Sequence, residues 1–169
     1  MNIWNTLRRI NTGSFWRILN LSIKHPLFLY PTLLATKECM RISTLHFDRE
    51  HYRNTPANAF RHAFWNYLIA HSCAKWSTNP CKVLKWTKAI TDWHENAFIN
   101  RELPRLMDFH NNEIGRTLYI QNSAKNLDFV VELLLNKTKD AIQIKSPEAI
   151  SSVSDNLVFL YPSVKAISS

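Results

Sequence analysis

Apolar residues recur at helical spacing through most of the chain. Trp4, Leu7 and Ile10, then Phe15, Ile18 and Leu19, predict an amphipathic helix over 4–22, with Gly13-Ser14 as a point of interruption. Pro26 suits the first turn of a second helix reaching about residue 42, and Pro31, one turn in, should kink or delay it. Positions 43–54 turn polar (His46, Asp48, Glu50, His51, Asn54) and read as a loop. Thr55-Pro56 pairs a capping threonine with a first-position proline, opening a helix to about 75. Asn79-Pro80 repeats that signal for 80–98. Further helices are expected from about 104 to 120, from Asn126 through Leu135, and from Ser146-Pro147 to near Tyr161-Pro162. No repeat or linker divides the chain. The expectation is an all-α fold, a single compact helical domain of about six helices spanning 1–169. Its parts would be N-terminal amphipathic helices in 1–53, a core in 54–123 and C-terminal helices in 124–169.

Composition narrows the picture. Only two glycines occur, Gly13 and Gly115, which argues against hairpin turns and against a glycine-rich phosphate loop. The formal net charge of +8 suggests anionic partners. No block of like charges appears, so a solvated basic surface explains the balance equally well. Lysines and arginines are spread along the chain without a recognition element, and nucleic acid ranks as the weakest partner reading. The three cysteines, Cys39, Cys73 and Cys81, form no CxxC pattern and are expected to be reduced. Cys73 and Cys81 flank one loop and could pair only in an oxidising compartment.

The N-terminus lacks the features of a signal peptide. The most apolar stretch, 15–36, is broken by Arg17, Lys24, His25, Pro26 and Pro31 and should not span a bilayer. A cytoplasmic location is the expectation. Phe15, Trp16, Leu27, Phe28, Leu29 and Tyr30 lie beside Arg8, Arg9, Arg17 and Lys24. Core packing is the first reading of these apolar residues, and peripheral contact with an anionic membrane surface is the alternative.

Candidate chemistry sits in three helical segments. Asn58, His62 and Asn66 share one face of an otherwise apolar helix, with Arg61 and Trp65 in the next row. Buried polar residues must find partners or lose several kcal/mol in desolvation. Asp92, His94 and Glu95 form the second segment. His94 and Glu95 point about 100° apart, so both reach one site only near the edge between their faces. In the third, Asp108, Asn111 and Asn112 lie at i, i+3 and i+4, with His110 beside them. Gly115 inside this helix implies close approach of another helix or a ligand. Histidines with carboxylates on facing helices are a ligand set for a divalent ion such as zinc, manganese or magnesium. His62, His94 and Asp108 are the expected ligands, and His62, His94, Glu95, Asp108 and His110 the candidate catalytic groups. Asn58, Arg61, Asn111 and Asn112 would hold an anionic substrate. A metal-free arrangement remains open, with His62 or His94 as general base oriented by Asp92, Glu95 or Asp108. HExxH, G-x-S-x-G and Walker patterns are absent.

Asn58-Ala59-Phe60-Arg61-His62-Ala63-Phe64-Trp65, His94-Glu95 and Met107 through Arg116 together resemble an uncharacterised bacterial helical domain. Its pattern runs N-A-x-R-H-A-x-W, H-E, M-D-x-H-N-N-x-x-G, over about residues 54–120. The resemblance implies a domain that occurs as a stand-alone protein and as the C-terminal module of large secreted polymorphic toxins. The resemblance marks the nine residues from Asn58 to Asn112 already singled out, and implies no settled reaction. The lead expectation is a metal-assisted hydrolase acting on an anionic small molecule, a phosphoester or a lipid headgroup. The alternative is a non-enzymatic helical module that binds a membrane surface or a partner.

Overall fold

The computed structural model describes residues 12–97 and 101–162. The predicted positions Trp4, Leu7, Arg8, Arg9 and Ile10 lie outside them. Among the described residues the chain forms seven helices and almost no strand. They are α1 (Thr12–Lys24), α2 (Pro26–Phe47), α3 (Pro56–Ala74), α4 (Pro80–Ala97), α5 (Glu102–Asn122), α6 (Leu127–Lys139) and the short α7 (Pro147–Ser151).

α3 is the axis of the molecule. Ala59, Phe60, Ala63, Phe64, Tyr67, Leu68 and Ile69 on it are buried on every side, and α2, α4, α5 and α6 surround it. A helix apolar nearly all round is stable only when enclosed in this way. Its tightest neighbour is α5. A Cβ built on Gly115 would lie 2.0 Å from the backbone oxygen of Ala63, so only glycine allows this crossing. The expected close approach at Gly115 is the contact between these two helices.

Several local signals act as read. Asn79 caps α4 by accepting from Lys82 N–H at 3.0 Å, and Asn126 caps α6 by accepting from Phe129 N–H at 2.9 Å. Thr55 does not cap α3; its hydroxyl donates to the Glu50 carbonyl at 3.0 Å. Gly13-Ser14 lies inside α1 and does not interrupt it. Pro31 is likewise accommodated inside α2, which continues past the expected end and stops where Asp48 takes φ 50°.

Two longer segments also differ from expectation. The segment 43–54 is not a simple surface loop: it completes α2, then forms a 3-10 turn at Glu50–Tyr52 that buries His51 completely. The expected helix from Ser146 to Tyr161 is only α7. The chain then extends, and strands β1 (Ile142–Gln143) and β2 (Val158–Phe159) pair in parallel. Met107, Ile144, Val158 and Leu160 make a small second core there. Burial of these alternating apolar residues against α5 favours an extended segment over another helical turn.

Candidate functional site

Three helices each deliver one ionisable side chain to the same buried point. His62 comes from the second turn of α3, Glu95 from the last turn of α4 and Asp108 from the second turn of α5. All three are buried. His62 Nδ1 lies 3.4 Å from Glu95 Oε1, and His62 Nε2 lies 3.3 Å from Asp108 Oδ1. One nitrogen or oxygen from each of the three falls within 4.8 Å of the others.

A polar network supports the cluster. Arg61 Nη2 donates to His62 Nε2 at 2.8 Å, and His62 Nδ1 lies 3.2 Å from Asn112 Oδ1. Asn112 Nδ2 donates to Glu95 Oε1 at 3.0 Å. Asn66 Nδ2 donates to Asn112 Oδ1 at 2.6 Å and to the His62 carbonyl at 3.1 Å. Behind them, buried Arg116 donates to Asn66 Oδ1 at 2.8 Å and also pairs with Glu113. Thr91 Oγ1 reaches the same Asn66 oxygen at 3.2 Å.

One atom stands outside this satisfaction. Asp108 Oδ1 is buried and has no hydrogen-bond partner. Its close neighbour His62 Nε2 already accepts from Arg61. A buried carboxylate oxygen with no donor needs a cation beside it: a proton, which His62 Nε2 would carry only in place of the Arg61 bond, or a metal ion. The residues present fit such an ion: one imidazole and two carboxylates form a ligand set suited to a divalent metal.

The two carboxylates titrate in opposite directions. Burial penalises ionised Glu95, but the charge and hydrogen bond of His62, with help from Asn112, hold its pKa well below the carboxylate range. Burial raises Asp108, the negative charge of Glu95 adds to this, and His62 and Arg61 offset only part. Burial also pulls His62 down, yet Asp108 and Glu95 outweigh it and the net direction is upward. Environments that push two neighbouring carboxyls apart divide them into a permanent anion and a proton carrier.

The remaining predicted residues occupy other places. Glu95, not His94, joins His62 and Asp108 in the metal-capable cluster. The His94 ring meets Trp65 edge-on at 5.1 Å, and burial lowers its pKa to about 4, so it is neutral at physiological pH. With half-buried Arg61 and Trp65 it borders the cluster on its more accessible side. His110 Nε2 contacts the Asn156 carbonyl at 2.9 Å. Asn111 both donates to and accepts from the Val158 backbone, at 2.9 and 3.0 Å. These two tie α5 to the C-terminal segment. Asn58 donates to the His51 carbonyl at 3.2 Å. Asp92 pairs with Lys88 on the surface of α4. Arg116 and Thr91 were missed as members of the network. Spacing carried a signal for Arg116, since Asp108, Asn112 and Arg116 follow one another at intervals of four.

Fold and site together define an all-α domain with a histidine–carboxylate centre buried where three helices meet. The chain belongs to the family described as Domain of unknown function (DUF6973), whose model matches residues 19–142. No curated protein and no solved structure matches the chain.

Proposed function

We propose that His62, Glu95 and Asp108 hold a divalent metal ion and that the protein is a metal-assisted hydrolase of an anionic substrate, a phosphoester or a lipid headgroup. The observation that carries this reading is the convergence of the three side chains from three helices, with Asp108 Oδ1 left without a hydrogen-bond partner. A zinc ion held by these three side chains would lower the pKa of a bound water toward 7, and any of the divalent ions would polarise a phosphoryl oxygen. Glu95 is already an anion, and burial keeps Asp108 more basic than an ordinary carboxyl, so binding of the ion would release the Asp108 proton and tighten as pH rises. Half-buried Arg61 at the edge of the cluster provides a planar donor pair for a phosphate or carboxylate. The resemblance to toxin modules would suggest an enzyme acting on an essential polymer or lipid.

The test is hydrolysis of a panel of phosphomonoesters, phosphodiesters and phospholipids with zinc, manganese or magnesium added. A metal-dependent rate that falls by roughly two orders of magnitude or more in Asp108→Asn and His62→Ala is expected. Activity without metal, or unchanged in both variants, overturns the reading.

A second reading rests on charge balance. Two cations, Arg61 and a protonated His62, would balance two carboxylates without any ion, with His62 Nε2 donating to Asp108 in place of accepting from Arg61. On that reading the centre is a buried ion-pair network that locks three helices, in a protein that is not an enzyme.

A further inference from the structure

α1 presents the wrong face to its neighbours for an ordinary surface helix. Ser14, Ile18 and Leu21 turn inward, and the Trp93 indole donates to the Ser14 carbonyl at 2.8 Å. The more apolar row, Phe15, Trp16, Leu19 and Ile23, turns outward, with Trp16 66% and Ile23 70% exposed. The same pattern continues beyond His25. On α2, Phe28, Thr32, Ala35 and Cys39 are buried, while Leu27, Tyr30, Leu33 and Leu34 face out, Leu27 at 61% and Leu33 at 69%. Core packing therefore accounts for Phe28 and partly buried Leu29 but not for Phe15, Trp16, Leu27 or Tyr30. Monomeric soluble proteins rarely leave an apolar run of this extent uncovered.

Charge identifies what covers it. The first acidic residue of the chain is Glu38; Arg8, Arg9, Arg17, Lys24 and Lys37 all precede it. A stretch under a quarter of the chain thus carries five of the eight net positive charges. Arg17, Lys24 and Lys37 are exposed on the same two helices as the apolar row. A second copy of the chain would bring a like-charged face against this one and be repelled. Arg17 lies in the α1–α4 cleft with Asp92, and Glu38 beside Lys37 is paired with Arg41. Exposed tryptophan and tyrosine with aliphatic residues, with Lys24 and Lys37 exposed on the same helices, match the boundary between lipid headgroups and acyl chains.

We propose that the outward face of α1 and the first half of α2 docks the protein onto an anionic lipid bilayer. Trp16, Leu19, Ile23, Leu27 and Tyr30 enter the headgroup–acyl boundary, and Lys24 and Lys37 neutralise headgroup charge. The α1–α2 face holds no residue of the His62 cluster, so this stands whether or not the hydrolase reading does.

The experiment is co-sedimentation of the full chain with phosphatidylcholine vesicles, with and without about 30 mol % phosphatidylglycerol, at low and high salt. Pelleting is expected with the anionic vesicles at low salt, weaker by about tenfold or more on neutral vesicles or in high salt. The double variant Trp16→Ser/Ile23→Ser should lose binding by a similar factor. The charge variant Lys24→Glu/Lys37→Glu should do the same. Both alter exposed residues, so unchanged circular dichroism and melting temperature would show that the fold is intact. Absence of lipid-dependent pelleting at low salt overturns the proposal. So does pelleting that both variants leave unchanged, or a dimer in solution that Trp16→Ser/Ile23→Ser dissociates while vesicles bind nothing.

Discussion

At Gly115 a single hydrogen decides how near α5 can come to α3. The Cβ of Gly115→Ala would meet the Ala63 carbonyl, and backbone cannot yield as a side-chain tip does. Forcing the helices apart should destabilise the protein by roughly 3 kcal/mol. Thermal unfolding checks this, and a variant as stable as the parent would contradict the crossing. His51 makes a second residue-scale prediction. It is wholly buried, its Nε2 lies 3.0 Å from Thr44 Oγ1, and burial first, then the Arg61 charge, lower its pKa from 6.5 to about 4. As pH falls from 6.5 toward 4, the unfolded chain takes up a proton that the folded chain refuses, so stability is lost across that window. His51→Gln should remove up to roughly 3 kcal/mol of that loss, read as a shallower pH dependence of denaturant unfolding. The burial of His51 was not legible in the sequence. It sits in a polar run, and only the return of the chain through Glu50–Tyr52 onto α2 and α3 encloses it. His62 and Asp108 were legible because each interrupts a helix where an apolar residue or a partner is required. The choice between His94 and Glu95 was not. Adjacent helical residues point about 100° apart, and the rotation of α4 about its axis is set by Trp86 and Ile90 packing in the core, not by the two residues themselves.

At the scale of elements, α5 serves two neighbours at once. Asp108, Asn112 and Arg116 face the α3–α4 side, while His110 and Asn111 hold the segment that carries β2. Asn111→Ala deletes both side-chain bonds to Val158, leaving a buried N–H and C=O without those partners. A loss of about 2–3 kcal/mol is expected. Amide exchange at Val158 and Leu160 should accelerate well before exchange in α3, and equal protection in variant and parent would refute the clamp. The elements themselves were largely readable: asparagine caps and proline starts mark α4 and α6 or α3 where the helices begin. The C-terminal pairing was not, because two-residue strands separated by 14 residues carry no local periodicity, and their partners are set by Asn111 and Asn54. Sequence pattern also identified the amphipathic nature of α1 without showing which way it turns.

The main core of the molecule surrounds α3, and two buried thiols report on it. Burial raises Cys39 to about 12 and Cys73 to about 11, whereas Cys81 is exposed. A thiol reagent at pH 8 should therefore modify one cysteine in the native protein and all three after denaturation. Rapid native labelling of more than one would show that the core opens. Among the described residues no helix is long and apolar enough to cross a membrane.

The central claim is that the point where α3, α4 and α5 meet takes up a divalent ion, and elemental analysis combined with calorimetric titration tests it most directly. The account predicts close to one zinc, manganese or magnesium ion per chain, and a melting temperature that rises with added metal as binding to the native state alone requires. Both should be lost in Asp108→Asn and in Glu95→Gln. A protein that binds no such ion at millimolar concentration, with a melting temperature indifferent to metal and chelator, would contradict it and leave the cluster as an ion-pair lock.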